Sequence, residues 1–211
     1  MNPRVQLLPG MGADASLYSL GWESLPAQFP EWPRWQGETS LEALAISLLD
    51  SGLILPELPI GGCSFGGMVA QEIAALCAHK SIYLIGSAAH RGEINRFLQF
   101  LLPLASLAPL PLAARLAAIS PGATPQMFSR VDPAFIKAMT LALRHWLPPK
   151  RHLVFERLHG SADLIIPPPR GVELIPGAGH LLALSHGPRC AAWLKAKLDL
   201  NDRTGLNLEP G

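Results

Sequence analysis

The sequence predicts an α/β fold in which a mostly parallel sheet is flanked by helices. Short apolar segments typical of buried strands alternate with segments of helical periodicity, and the first strand-like segment ends in a Pro-Gly turn. That alternation is typical of parallel sheets with crossover helices. Apolar residues make up 49% of the 211 residues, enough for a packed core, so the disordered class is excluded. The length favours a single domain.

Five short apolar segments are predicted as strands. They cover residues 5–8, 58–63, 81–85, 153–158 and 172–175.

Three segments between and after the strands are predicted as helices. The first follows Thr39, because Thr39 and Glu42 have capping-box spacing before a run with one apolar face. The second covers 68–78, and the third begins near Pro188, a residue type suited to a first helical turn. The polar residues 201–211 that follow are predicted to be a flexible tail.

Residues 88–151 interrupt the alternating pattern and are predicted to be a helical cap inserted into the α/β body. The body then consists of residues 1–87 and 152–200, one discontinuous domain. The cap contains a long apolar stretch, but prolines at 103, 109 and 111 would break a single membrane-spanning helix. The stretch is therefore interpreted as short helical pieces, and membrane insertion is not expected.

The net charge of +1 conceals an uneven distribution of charge. Residues 88–151 hold eight basic and two acidic residues, a local balance of +6, and the remainder carries −5. A near-neutral total argues against a nucleic-acid-binding protein. The basic cap has two open interpretations: a solvated surface, or a field that steers an anionic substrate or an acidic carrier.

Cysteine usage and the N-terminal sequence favour a cytoplasmic protein. Three cysteines are an odd number without zinc-ligand spacing, so neither a disulfide framework nor a metal site is expected. The first residues lack an apolar run long enough for a signal peptide.

The segment Gly62 to Gly66 matches the pattern G-x-S-x-G between a predicted strand and a predicted helix. In a nucleophile elbow the serine sits on a sharp, strained turn, so its neighbours must be small. Gly62, Gly66 and Gly67 meet that need, and the Oγ of Ser64 would project at the edge of the sheet.

Together with two later motifs, this segment makes the chain resemble the α/β-hydrolase superfamily from residue 5 to about 198. Residues 159–167 look like the family's H-G-x-x-D-x-x-x-P acid loop, and residues 176–180 look like its G-x-G-H histidine loop. The resemblance implies a nucleophile Ser64, an acid Asp163 and a base His180, in the family's chain order. Glu93 is a competing acid. It follows the predicted strand 81–85, and some relatives carry the acid after the corresponding strand.

Residues 9–12 are similar to the family's H-G-x-G oxyanion loop, with proline in place of histidine. The resemblance implies that the backbone N–H groups of Met11 and Phe65 form the oxyanion hole. Only eight residues precede Pro9, too few for the two leading antiparallel strands of many relatives. A reduced sheet of about six strands is expected.

Four other residues near these motifs are interpreted as structural. His159 is expected to belong to a strand end, His186 to a helix start, and Cys63 to the interior of the sheet. Asp14 is expected to cap the turn after the oxyanion loop.

The cap offers candidates for substrate binding. Phe97, Phe100 and Leu101 could line an acyl pocket, or could only pack the cap against the body. The basic cap is similar in layout and charge to that of biotin-pathway methyl esterases, in which such a cap docks an acyl carrier protein.

The resemblance implies a carboxylesterase-like serine hydrolase that cleaves a small-molecule ester through an acyl-enzyme, without a cofactor. One alternative is a methyl ester or thioester hydrolase acting on a carrier-linked substrate. Another is a non-catalytic scaffold of the same fold. Haloperoxidase, lyase and C–C hydrolase chemistry also use this triad, and fold resemblance does not separate these reactions.

Overall fold

The computed structural model describes residues 2–79, 81–95 and 132–204, and its centre is a sheet whose pairings are all parallel. The strand order is β2-β1-β3-β4-β5-β6. The strands are β1 (Val5–Leu8), β2 (Ala27–Gln28), β3 (Ile60–Cys63), β4 (Ser81–Ile85), β5 (Val154–Gly160) and β6 (Glu173–Ile175). The α-helices of these ranges are α1 (Leu41–Asp50), α2 (Phe65–Leu76), α3 (Pro133–His145), α4 (Leu182–Ser185) and α5 (Gly187–Thr204).

The α/β class with about six strands is thereby confirmed. Five strands lie where the sequence predicts them, with ends that differ by up to two residues. The sixth, β2, has two residues and was not predicted, because so short a segment carries no periodic pattern. It pairs with β1 through Val5 and Ala27.

The sheet has apolar side chains on both faces, as buried parallel sheets require. In β4, Ile82 and Leu84 join a core cluster with α1, α2 and α3. Tyr83 and Ile85 alternate to the opposite face and join a second cluster with α4 and α5. The molecule is therefore three layers deep, with the sheet in the middle.

The structure corrects the predicted cap of α1 and the predicted end of the last helix. The cap of α1 is Ser40 rather than Thr39: the Oγ of Ser40 accepts a hydrogen bond from Ala43 N at 3.0 Å. Helix α5 continues to Thr204, so the predicted tail begins too early. Asn201 is only 3% exposed and donates to the hydroxyl of Tyr83 at 2.9 Å, which holds this turn of the helix against the sheet.

The predicted cap is described in two pieces, residues 88–95 and 132–151. They contain a short 3-10 helix, Arg91–Glu93, and helix α3. Ile94, Phe135 and Met139 are buried in the same cluster as α1 and α2, so these pieces share the core of the body. The predicted pocket residues Phe97, Phe100 and Leu101 lie outside the described residues.

None of the helices in the described ranges is both long and apolar enough to cross a membrane.

Candidate active site

Ser64 occupies a strained turn between β3 and α2. Its φ of 53° and ψ of −121° fall where residues other than glycine are uncommon. The neighbouring glycines make this turn possible. A Cβ on Gly66 would lie 2.3 Å from the carbonyl oxygens of Leu8 and Pro9, and one on Gly62 would lie 2.5 Å from the backbone of Gly66.

The backbone of Ser64 is held by the end of β4. Its N–H donates to Ile85 O at 3.1 Å, and its carbonyl accepts a hydrogen bond from Ser87 Oγ at 2.6 Å. Two contacts from the adjacent strand end therefore fix the turn that carries the hydroxyl.

Ser64, His180 and Asp163 form a continuous hydrogen-bond chain. His180 Nε2 lies 2.8 Å from Ser64 Oγ, and His180 Nδ1 lies 2.8 Å from Asp163 Oδ2. The side chain of His180 is 10% exposed and that of Asp163 is fully buried. This is the geometry of a nucleophile beside a base that a carboxylate orients.

Backbone amides orient the carboxylate of Asp163. Its Oδ1 accepts hydrogen bonds from Ile165 N at 2.9 Å and Ile166 N at 3.0 Å, in the loop after β5. These donors occupy one oxygen and leave the other to face His180.

Glu93, the competing acid, has different partners. Its carboxylate pairs with Arg157 of β5 through contacts of 2.6 and 3.0 Å and accepts from Ala89 N at 2.8 Å. Burial raises the pKa of Glu93, but these hydrogen bonds and the charge of Arg157 outweigh it and leave that pKa below its ordinary value. The carboxylate that His180 contacts is that of Asp163, not that of Glu93.

His159, also on β5, is fully buried. Burial, with the nearby charge of Arg157, lowers the pKa of His159 to about 4. Its Nε2 lies 3.4 Å from Arg157 Nη2, and its Nδ1 has no hydrogen-bond partner among the described residues. The imidazole is therefore neutral at ordinary pH and accepts from the guanidinium.

The predicted oxyanion residues follow the ends of β1 and β3. Phe65 is the first residue of α2, so its N–H has no partner four residues earlier within the helix. Met11 lies in the loop after β1, and helix α3 covers this loop. Thr140 Oγ1 is 3.6 Å from Met11 Sδ, and the Ile136 side chain would lie 3.6 Å from a Cβ on Gly12.

Two supporting residues were not found from the sequence. The Tyr18 hydroxyl donates to Leu8 O at 2.6 Å and accepts from Cys63 N at 3.1 Å, so it joins the ends of β1 and β3 beside the elbow. Ser87 holds the Ser64 carbonyl. Neither belongs to a motif, and only the tertiary structure brings them to the site.

Three further residues interpreted from the sequence as structural lie in the described part of the chain: Cys63, Asp14 and His186. Cys63 is fully buried, and burial raises the pKa of its thiol. Asp14 caps a 3-10 helix by accepting from Ser16 N at 2.9 Å. His186 lies between α4 and α5, with its Nδ1 2.9 Å from Ser185 Oγ.

No three His, Cys, Asp or Glu side chains of the described ranges are grouped as metal ligands. A cavity of about 1090 Å³ between α1, α2 and α3 is lined by none of the three hydrogen-bonded residues.

Comparison of the sequence with protein-family models and with curated proteins gave no match. Solved structures do resemble the chain. A thermophilic esterase from Thermogutta terrifontis matches 94% of this chain and 90% of its own, with a TM-score of 0.67 and 20% identity. The enol-lactonase from Burkholderia xenovorans matches 94% and 92%, with a TM-score of 0.71 and 14% identity.

A third similar structure is named for a different reaction. The bromoperoxidase from Bacillus anthracis matches 94% of this chain and 92% of its own, with a TM-score of 0.66 and 14% identity. A solved structure from Burkholderia ambifaria, described as an α/β-hydrolase fold protein, matches with a TM-score of 0.60. Topology, coverage and these likenesses agree, and the chain has the α/β-hydrolase fold.

Proposed function

We propose that the protein is a serine hydrolase that cleaves a carboxylic ester through an acyl-enzyme. The observation that carries this proposal is the hydrogen-bond chain from Ser64 Oγ through His180 to Asp163, with 2.8 Å at each step. A serine at a strained elbow beside an oriented imidazole is the arrangement that activates a hydroxyl for attack on an acyl carbon.

In the first half-reaction His180 acts as a general base. Nε2 takes the proton of Ser64 as Oγ bonds to the acyl carbon, and the carbonyl π electrons move onto oxygen. The N–H groups of Met11 and Phe65 donate to that oxyanion, each contributing about 3 kcal/mol in comparable sites. Asp163 accepts a hydrogen bond from Nδ1–H, stays ionised, and stabilises the positive charge of the imidazolium.

The intermediate then collapses and expels the alcohol, which takes the proton held on Nε2. In the second half-reaction His180 removes a proton from water as the water oxygen bonds to the acyl carbon of the ester on Ser64. Collapse of this second intermediate returns the proton to Ser64 Oγ and releases the carboxylic acid.

Ester hydrolysis is favoured over the other reactions of this fold because two of the neighbours described above are an esterase and an enol-lactonase. A bromoperoxidase is also among the neighbours, so bromination is the reaction with which ester hydrolysis has to be compared. Fold alone does not choose between them.

A fluorophosphonate probe tests the proposal. The folded wild-type protein should be labelled at Ser64 and should hydrolyse p-nitrophenyl esters. Ser64→Ala should lose both properties, and Ser185→Ala, a serine outside the hydrogen-bond chain, should keep them. Absence of an adduct at Ser64 in folded protein would contradict the proposal and favour a non-catalytic scaffold.

A second candidate is hydrolysis of a methyl ester or thioester attached to an anionic carrier. Four basic residues in and after α3 are exposed and favour an acidic partner: Lys137, Arg144, Lys150 and Arg151. In this case salt should slow hydrolysis of an anionic ester but not of a neutral one.

Lys137→Ala combined with Arg144→Ala should reproduce this selective loss. Lys195→Ala, which removes an exposed charge from α5, is the matched control. If the double variant keeps the wild-type rates for both esters, the carrier hypothesis is excluded.

A further inference from the structure

The indole of Trp32 is bonded to the peptide group that contains one of the two proposed oxyanion donors. Trp32 Nε1 donates to the carbonyl oxygen of Gly10 at 3.2 Å. That carbonyl and the N–H of Met11 belong to the same peptide unit. No cis peptide occurs in the described chain, so the unit is trans and its C=O and N–H point in opposite directions. A donor that fixes the carbonyl therefore also fixes the direction of the Met11 N–H.

This peptide unit borders the nucleophile. A Cβ placed on Gly10 would lie 3.7 Å from Ser64 Cβ, within ordinary contact distance. The Gly10 carbonyl also accepts from Ala13 N at 3.1 Å, so it has one donor from its own loop and one from a distant loop. Of these two donors, the indole is the one that joins the Gly10 carbonyl to a segment outside its own loop.

The ring of Trp32 packs against two phenyl rings that also contact each other. Its centroid lies 5.4 Å from that of Phe65 and 5.6 Å from that of Phe135 on α3. Phe65 supplies the other proposed oxyanion donor, since its N–H begins α2. Trp32 therefore contacts both halves of the proposed oxyanion hole, one by a hydrogen bond and one by its ring.

We propose that Trp32 is a positioning residue for the oxyanion hole, an inference that rests on the proposed hydrolase function. Its indole N–H holds the Gly10 carbonyl, and so keeps the Met11 N–H directed at the oxygen that becomes negative during attack by Ser64. A hydrogen bond to the carbonyl also polarises the peptide and strengthens its N–H as a donor. Because the oxyanion forms only in the transition state, the benefit belongs to kcat rather than to substrate binding.

Trp32→Phe tests this role because it keeps an aromatic ring and removes the N–H. Trp35→Phe is a matched control: Trp35 lies three residues further on, and its Nε1 donates to the carbonyl of Glu38 at 3.0 Å. Trp32→Phe should lower kcat about tenfold, less than the loss of a whole oxyanion donor, with KM within twofold. The rate of fluorophosphonate labelling at Ser64 should fall by a similar factor. Trp35→Phe should change neither rate by more than twofold.

Three results would overturn the role: equal kcat in the two variants, a rise of KM without a loss of kcat, or labelling at the wild-type rate in Trp32→Phe. Failure of the proposed function is distinguishable, since it would appear as absence of labelling in the wild-type protein itself. Thermal unfolding identifies a variant that does not fold.

If Trp32→Phe does not fold, the wild-type protein supplies a second measurement. The indole ¹⁵N–¹H resonance of Trp32, assigned beside that of Trp35, should shift when Ser64 is phosphonylated, and that of Trp35 should not. An unshifted Trp32 resonance in the adduct overturns the inference.

Discussion

Asp163 and Glu93 differ in what surrounds each carboxylate. Asp163 is oriented by two backbone amides and faces an imidazole. Glu93 forms an ion pair in which both carboxylate oxygens accept hydrogen bonds from the guanidinium of Arg157. A carboxylate with one oxygen directed at a histidine suits the stabilisation of an imidazolium, whereas one already paired with a permanent cation suits the support of a fold.

Asp163→Asn and Glu93→Gln should separate these two roles. Asp163→Asn should lower kcat by about 10⁴-fold with little loss of stability, because an amide favours the wrong tautomer of His180. Glu93→Gln should keep kcat within tenfold and lower the free energy of unfolding by about 3 kcal/mol, because Arg157 loses its buried partner. Steady-state kinetics and urea unfolding measure the two effects. The reverse pattern would assign the acid role to Glu93.

His159 should make the stability of the protein dependent on pH in the acidic range. Its pKa is about 4 in the folded protein and about 6.5 in the unfolded chain, so the unfolded chain binds more protons between these values. The contribution of His159 to the free energy of unfolding is complete above about pH 6.5. It is lost as the pH falls towards 4, and the loss reaches about 3 kcal/mol.

Urea unfolding of the wild-type protein and of His159→Phe at several pH values isolates this effect from that of other groups. The wild-type protein should lose stability relative to the variant between pH 7 and pH 4. A constant difference would contradict a neutral buried imidazole.

At the scale of elements, the junction of β3 and α2 depends on close backbone approach. The helix begins three residues earlier than the sequence predicts, immediately after Ser64. Glycines have low helix propensity, but here their missing side chains let the first turn of α2 approach the end of β1. Helical periodicity begins only after these glycines, and this is why the pattern missed the first turn.

Gly66→Ala should disrupt this junction. Its Cβ would lie 2.3 Å from two carbonyl oxygens of the β1 end, so β1 and the oxyanion loop would have to move. We expect a loss of about 3 kcal/mol in unfolding free energy and a large fall in labelling of Ser64. Gly179→Ala is the control, because a Cβ there meets no atom within 4 Å. Equal stability of the two variants would contradict the steric argument.

At the scale of the whole molecule, the C-terminal helix is bound to the centre of the sheet. Asn201 of α5 donates to the hydroxyl of Tyr83, a buried residue of β4. Nearby, Arg4 forms ion pairs with Asp199 and Asp202 at the surface. The buried hydrogen bond should matter more, because solvent weakens exposed ion pairs and cannot replace a lost partner inside.

Asn201→Ala should therefore lower the free energy of unfolding by about 2 kcal/mol, since the Tyr83 hydroxyl loses a buried partner. Asp202→Ala should cost less than about 1 kcal/mol, because its partner is at the surface. Chemical denaturation of both variants measures the difference. A larger loss in Asp202→Ala would show that the surface pairs hold the helix.

The sequence by itself determined the α/β class, five of the strands and the order of three motifs. Strand and helix periods are local patterns, and glycines at an elbow are required wherever the chain turns so sharply. It missed β2, because a strand of two residues has no periodic pattern. It also missed the true cap of α1 and the last turn of α5, because the ends of a helix depend on φ and ψ.

Only the tertiary structure decided which side chains meet. Asp163 lies 17 residues from His180, and Ser64 lies 116 residues from it, yet both are 2.8 Å from the imidazole. Tyr18, Trp32 and Ser87 contact the backbone of the elbow or of the loop after β1 without belonging to any motif. Their roles depend on the parallel order of β1, β3, β4 and β5, which brings the carboxyl ends of these strands to one edge. Sequence patterns record the repeat within an element, whereas contacts between elements are set by how the layers pack.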